Sequence, residues 1–258
     1  MAATTRSQVA THNYRFSSFL GGIHASDPAT MKVIAEAKAE VGEAEVKKGF
    51  TGTTGEGASA RVIATLKEKG VQFVGLKGNL TSVRVRQVAV DGREQPYLVV
   101  GLRDNDGRDY LSVSMHEDAA QLLVRKLVNA EPGLETEYRL WSEYVQKEGK
   151  DRPYAEGCAF LRQRGVEVKG LPRSAELAAL VTAATDALVA AGVPLADKET
   201  HGRRREKVTL DYHLDLMEKV VARFDAYYAA KKQSTQPSPH TGEVAEDASI
   251  DAEDTVPY

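Results

Sequence analysis

The chain has 258 residues, 42% hydrophobic and 28% charged, with a formal net charge of −3, enough apolar material to bury a core in one or two domains. A single cysteine, Cys158, excludes an internal disulfide framework and a cysteine-based zinc site, and it suits a reducing compartment. No apolar run nears the roughly 18 residues of a membrane span and the N-terminus lacks a signal-peptide layout, so the expectation is a soluble, cytoplasmic protein with no membrane partner.

The charge is unevenly placed. All 34 Lys and Arg fall in residues 1–232, together with 31 of the 37 Asp and Glu. The other six acids, Glu243, Glu246, Asp247, Asp251, Glu253 and Asp254, give a tail of −6 on a body of about +3. Such asymmetry points either to a polyanion-binding surface that the tail can shadow or, equally, to a tail that only solubilises.

Residues 1–28 read as an arm or short extended segment with scattered aromatics. Asp27 as N-cap and Pro28 at the first helical position open a helix through about Val46. The Gly- and Thr-rich stretch from Gly49 to Gly57 lacks the Gly-Lys-Ser/Thr ending of a phosphate loop and reads as a connector. A short helix follows over Ser59–Lys69.

From Val71 the period changes from helical to alternating. Val83 and Val85 point one way while Arg84 and Arg86 point the other, the signature of a half-buried strand. Asp91-Gly92 marks a hairpin, Tyr97–Leu102 a second strand, Asp104–Gly107 a tight turn, and Asp109–Met115 a third strand. A helix over Glu117–Asn129, with Ala120, Leu123, Val124 and Leu127 as its apolar stripe, precedes strands over Leu134–Gln146 and Tyr154–Gln163.

The order strand, strand, strand, helix, strand, strand is that of an OB-fold, a five-stranded Greek-key barrel. Beyond Pro172, Ser174 caps an alanine-rich helix to Ala191. A polar link over 195–205 leads to a last helix over Glu206–Lys232, placed either on the barrel or against a partner subunit. Residues 233–258 are Ser/Pro/Thr-rich and then acidic, hence disordered. The expected architecture is α+β: an N-terminal arm and helices (1–70), an OB-like barrel (71–172), C-terminal helices (173–232) and an acidic tail (233–258).

An enzyme reading finds little support. The six histidines show no metal-ligand spacing, and no Ser-His-Asp or paired-carboxylate motif occurs. No catalytic residue, metal or cofactor is assigned. Binding of single-stranded nucleic acid needs cations for the backbone and flat rings for the bases. The strand faces opposite the aliphatic residues offer both: Arg84 and Arg86, Tyr97 and Arg103, Tyr110, then Arg139 and Trp141. Lys147, Lys150 and Arg152 add charge in one hairpin, and Arg162 and Arg164 at the end of the last strand. Residues 71–170 hold 15 basic and 15 acidic side chains, so a positive surface must come from arrangement rather than excess.

The tail ends Asp254-Thr255-Val256-Pro257-Tyr258. Joined to a barrel, this resembles the single-stranded DNA-binding proteins of replication, whose bacterial members end acidic-Ile-Pro-Phe after a flexible acidic linker. The helical additions point to a divergent, phage-like version, which would work in the host cytoplasm. The resemblance implies a non-catalytic protein that coats single-stranded DNA with little sequence preference. It also implies a partner-binding tip made of Asp251, Glu253, Asp254, Val256, Pro257 and Tyr258 that recruits replication, recombination or repair proteins, with homo-oligomerisation possible. The rival readings are a phage-type strand-annealing recombination protein and a protein-binding adaptor.

Overall fold

The computed structural model describes residues 10–90, 92–105, 107–145, 154–172 and 174–235. In chain order its elements are β1 (Ala10–Ser17), β2 (Gly22–Ala25), α1 (Pro28–Val41), α2 (Glu43–Val46), α3 (Ala58–Glu68), β3 (Leu76–Val90), β4 (Arg93–Arg103) and β5 (Gly107–Ser114). They continue as α4 (Asp118–Leu127), β6 (Glu135–Val145), β7 (Tyr154–Gln163), β8 (Val166–Glu167), α5 (Ala175–Ala190) and α6 (Lys198–Thr235). The expected Asp91 and Asp106 turn residues, the Lys147, Lys150 and Arg152 hairpin and the tail from 236 to its tip lie outside the described residues, while 233–235, expected to be disordered, form the end of α6.

The architecture is α+β, but the five-stranded barrel is not formed. The strands make one open, mixed sheet of eight in the order β2-β1-β5-β4-β3-β6-β7-β8. Closing a five-stranded ring would require β5 to pair with β7. Both edges are already taken: β1 adds to β5 in parallel, from Ala10↔Gly107 to Arg15↔Ser112, and β8 adds to β7. Residues 10–25 therefore supply two strands of the sheet. The sheet curls until the β2 side lies against β6 without pairing to it. There Ser142 Oγ donates to Ser18 O at 3.0 Å, and Val74 N donates to Ile23 O at 2.9 Å.

Alternation sets which side of the sheet is buried. Leu98, Val100 and Leu102 of β4, Leu111 and Val113 of β5, and Tyr138 and Leu140 of β6 point into one core with the α4 stripe of Ala120, Leu123, Val124 and Leu127. The last helix shares this core through Leu216, Met217, Val220 and Phe224. A second, smaller cluster joins α1 and α3 through Ile34, Ala37, Val62, Ile63 and Leu66, with Leu20 and Phe50.

Local chemistry explains most boundaries. Asp27 accepts from Thr30 N at 3.0 Å and Ser174 from Leu177 N at 3.1 Å, both as expected of N-caps. The first helix is shorter than expected because Gly42, at φ 95°, breaks it and α2 restarts beyond. The last is longer: Asp197 accepts from Thr200 N at 3.1 Å, so the helix begins at Lys198 and takes Arg203, Arg204 and Arg205 into its first turns. No helix among the described residues is long and apolar enough to cross a membrane.

Candidate functional site

The face of the sheet turned away from the main core carries the residues expected to bind. Register fixes its membership. On β3 and β4, Arg84 lies opposite Val99, Arg86 opposite Tyr97, and Asn79 opposite Arg103. On β4 and β5, Gly101 lies opposite Tyr110 and Arg103 opposite Arg108. The structure thus brings Arg84, Arg86, Tyr97, Arg103 and Tyr110 onto one surface and adds Arg93 and Arg108. The alternation that placed Tyr110, Ser112 and Ser114 outward extends back to Arg108, so that residue was within reach of sequence reasoning.

No Asp or Glu occupies this face on β1, β4, β5 or the 82–90 half of β3. The outward positions between the arginines are Ser82, Val88, Val90, Gln95, Val99, Gly101, Ser112 and Ser114, with Thr11, Asn13 and Arg15 continuing it on β1. Acids of the same hairpins sit on the other parity. Asp109, for example, takes a hydrogen bond from His12 Nδ1 at 3.1 Å. Arg86, Arg93, Arg103 and Arg108 form no ion pair with a described residue. Arg103 and Arg108 stand directly opposed across β4 and β5, an arrangement that destabilises a sheet unless an anion joins it.

Of the two tyrosines, Tyr110 is held in place. A methyl group on Gly101 would come within 2.3 Å of Ser82 Oγ and 3.0 Å of Tyr110 Cε1, so Gly101 is the space into which the Tyr110 ring leans. The Arg84 guanidinium lies 5.7 Å from the centre of that ring, a cation–π contact worth about 0.5–1 kcal/mol where exposed. Val99, opposite Arg84, is buried on this outward side, as expected where long cationic side chains lie along a sheet.

Arg139 and Trp141 share the outward face but not the arginine surface. The β3–β6 pairing covers only 76–79 of β3, so these two residues lie beyond its N-terminal end while Arg84 and Arg86 lie toward its C-terminal end. They line a cleft of about 950 Å³ with Lys77, Phe73, Phe160 and Arg162. On its floor Arg139 lies opposite Phe160 and Trp141 opposite Cys158. Glu137 binds both cations, accepting from Arg139 Nε at 3.0 Å and from Arg162. The Arg162 hydrogen bond, seconded by Arg139, holds the Glu137 carboxyl below the usual carboxylate range. Trp141 Nε1 donates to Glu143 Oε1 at 2.8 Å. Burial pushes the Cys158 thiol up, away from the reactive thiolate.

No family model matches this chain, and neither a similar curated protein nor a similar solved structure was found. What bears on function is the geometry of the two surfaces and the sequence of the tail. That geometry offers charge and rings for a flexible polyanion. Among the described residues, no group of three or more His, Cys, Asp or Glu is placed to hold a metal ion.

Proposed function

We infer that the protein binds single-stranded DNA without catalysis, coating the strand in replication, recombination or repair. The observation behind this reading is the carboxylate-free face of β3–β5. There Arg84, Arg86, Arg93, Arg103 and Arg108 surround Tyr97 and Tyr110, although the region as a whole has as many acids as bases. Guanidinium groups neutralise phosphates, and each base stacked on a ring contributes about 1–3 kcal/mol. A single strand can present bases and backbone to such a face together, whereas a duplex keeps its bases stacked inside. The acidic tail, from Glu243 to the Val256-Pro257-Tyr258 tip, would recruit partner enzymes through its apolar end and its charge.

The test is a titration of labelled oligo-dT and of a duplex of equal length, followed by fluorescence anisotropy at low and moderate salt. The single strand should bind more tightly, with affinity that falls steeply as salt rises. Equal affinity for the duplex, or binding that ignores salt, contradicts the reading.

A further inference from the structure

The cleft beside β6 and β7 differs in kind from the open arginine surface. It has a floor, a wall and one charged end. The floor is Trp141 and Phe160 on neighbouring strands, with Arg139 directly opposite Phe160 and two residues from Trp141. The wall is the Gly21–Ile23 turn and the 73–75 segment, tied together by Val74 N donating to Ile23 O.

Two glycines keep the cleft open. A methyl group on Gly75 would lie 3.3 Å from Arg139 Cγ and from Tyr138 O, and one on Gly22 would lie 2.8 Å from the Phe73 ring. At the charged end stand Lys77 and Arg162. Glu137 anchors Arg162 and Arg139 together, and Lys77 pairs with Glu135 at 3.0 Å on the neighbouring strand, so these side chains are positioned before any ligand arrives and a phosphate would share them with the two carboxylates. The volume, about 950 Å³, lies within the roughly 300–1,000 Å³ of small-ligand sites. Phe160 and Arg162 are alternate residues of β7, about 7 Å apart along the strand, a spacing that one nucleotide can span.

We propose that this cleft is a separate subsite for one unstacked nucleobase together with its adjoining phosphate. The base lies on Trp141 and Phe160, and the phosphate meets Lys77 and Arg162. The occupant is either a free nucleotide or a base of a strand held on the arginine surface; only the second source rests on the strand-binding reading.

The chain contains one tryptophan and 10 tyrosines, and the tryptophan lines this cleft, so emission excited selectively at the indole reports on the cleft. The full chain is titrated with thymidine 5′-monophosphate, with thymidine, with inorganic phosphate and with oligo-dT. The same titrations are run on Phe160→Ala and on Gly75→Val, which narrows the cleft without removing charge.

Saturable quenching by the monophosphate, stronger than by thymidine or phosphate alone, supports the subsite and identifies a free nucleotide. Quenching by oligo-dT only supports it and identifies a strand base. In either case both variants, with circular dichroism matching the parent, should shift the midpoint about tenfold. No saturable quenching by any ligand, or an unchanged midpoint in both folded variants, overturns the proposal. Anisotropy of labelled oligo-dT separates the two readings. Strand binding with a silent Trp141 ends the subsite alone. Quenching by monophosphate without strand binding ends the strand reading alone.

Discussion

At the scale of single residues, the arginine surface is a place where the isolated protein holds like charges together. Arg103 and Arg108 face each other across β4 and β5, and neither has an ionic partner among the described residues. Replacing both by alanine should weaken oligo-dT binding and make the log–log salt slope shallower by about 1.4, since each phosphate neutralised on a single strand contributes about 0.7. The same pair should leave the folded protein no less stable, because removing opposed cations relieves repulsion; chemical denaturation checks this.

His24 makes a different prediction. Burial, aided by Lys38 and Arg15 and opposed by the Ala25 carbonyl and Asp27, lowers its pKa. Its Nδ1 lies 2.8 Å from Ala25 O. The folded protein keeps this ring neutral to a lower pH than the unfolded chain, which protonates it near pH 6.5. Stability from His24 is therefore complete above that value and is lost as pH falls below it. His24→Gln, which cannot titrate but can still donate, should flatten the stability profile below about pH 6, measured as Tm against pH.

At the scale of elements, α4 depends on a side chain ninety-odd residues away. Its last turn leaves carbonyls without intrahelical partners, as every helix does. Arg223 of α6 donates to Leu127 O and Ala130 O, both at 2.7 Å, and to Val128 O. Positive charge at a helix C-terminus adds to the effect. Arg223→Ala should destabilise the fold by about 1–2 kcal/mol, read as a lower Tm. Arg223→Lys should recover only part of this, because an ammonium cannot span three carbonyls as a planar fork does.

The elements also show what could be read in advance. The hairpins from 76 to 114, α4, β6 and β7 were legible because alternation and helical stripes are local signals; so were the faces of Arg84, Arg86, Arg139 and Trp141. The closure of the sheet was not. Whether β5 meets β7 or β1 is decided by long-range pairing, and β1 lies 97 positions before its partner; its own alternation, Ala10, Tyr14 and Phe16 against Thr11, Asn13, Arg15 and Ser17, announces a strand but not which edge it joins. The cleft was invisible for the same reason: Phe73 and Gly22 join Trp141 only through the fold. Lys77 and Phe160 did follow the alternation of named residues and could have been found.

At the scale of the whole molecule, a body of about +3 is tethered to a tail of −6. The tail acids can compete with phosphates for the arginine surface, most effectively at low salt. Deleting 243–258 should leave oligo-dT affinity unchanged or raise it, the gain shrinking as salt increases, and should abolish capture of partner enzymes. Loss of strand binding on deletion would contradict this role for the tail. The parallel pairing of β1 with β5 has a further consequence, for how the chain is made. His12 finds Asp109 only across 97 positions, so during synthesis the first strand can pair with β2 while its other edge waits until β5 has left the ribosome. Until then that edge is available to other chains, and once β4 and β5 have formed, the open edge of β5 is a template for the wrong strand. Slow, concentration-sensitive refolding is the expected mark of that wait. A chain beginning at residue 26 should show it most severely, as aggregation through the edge that β1 normally covers.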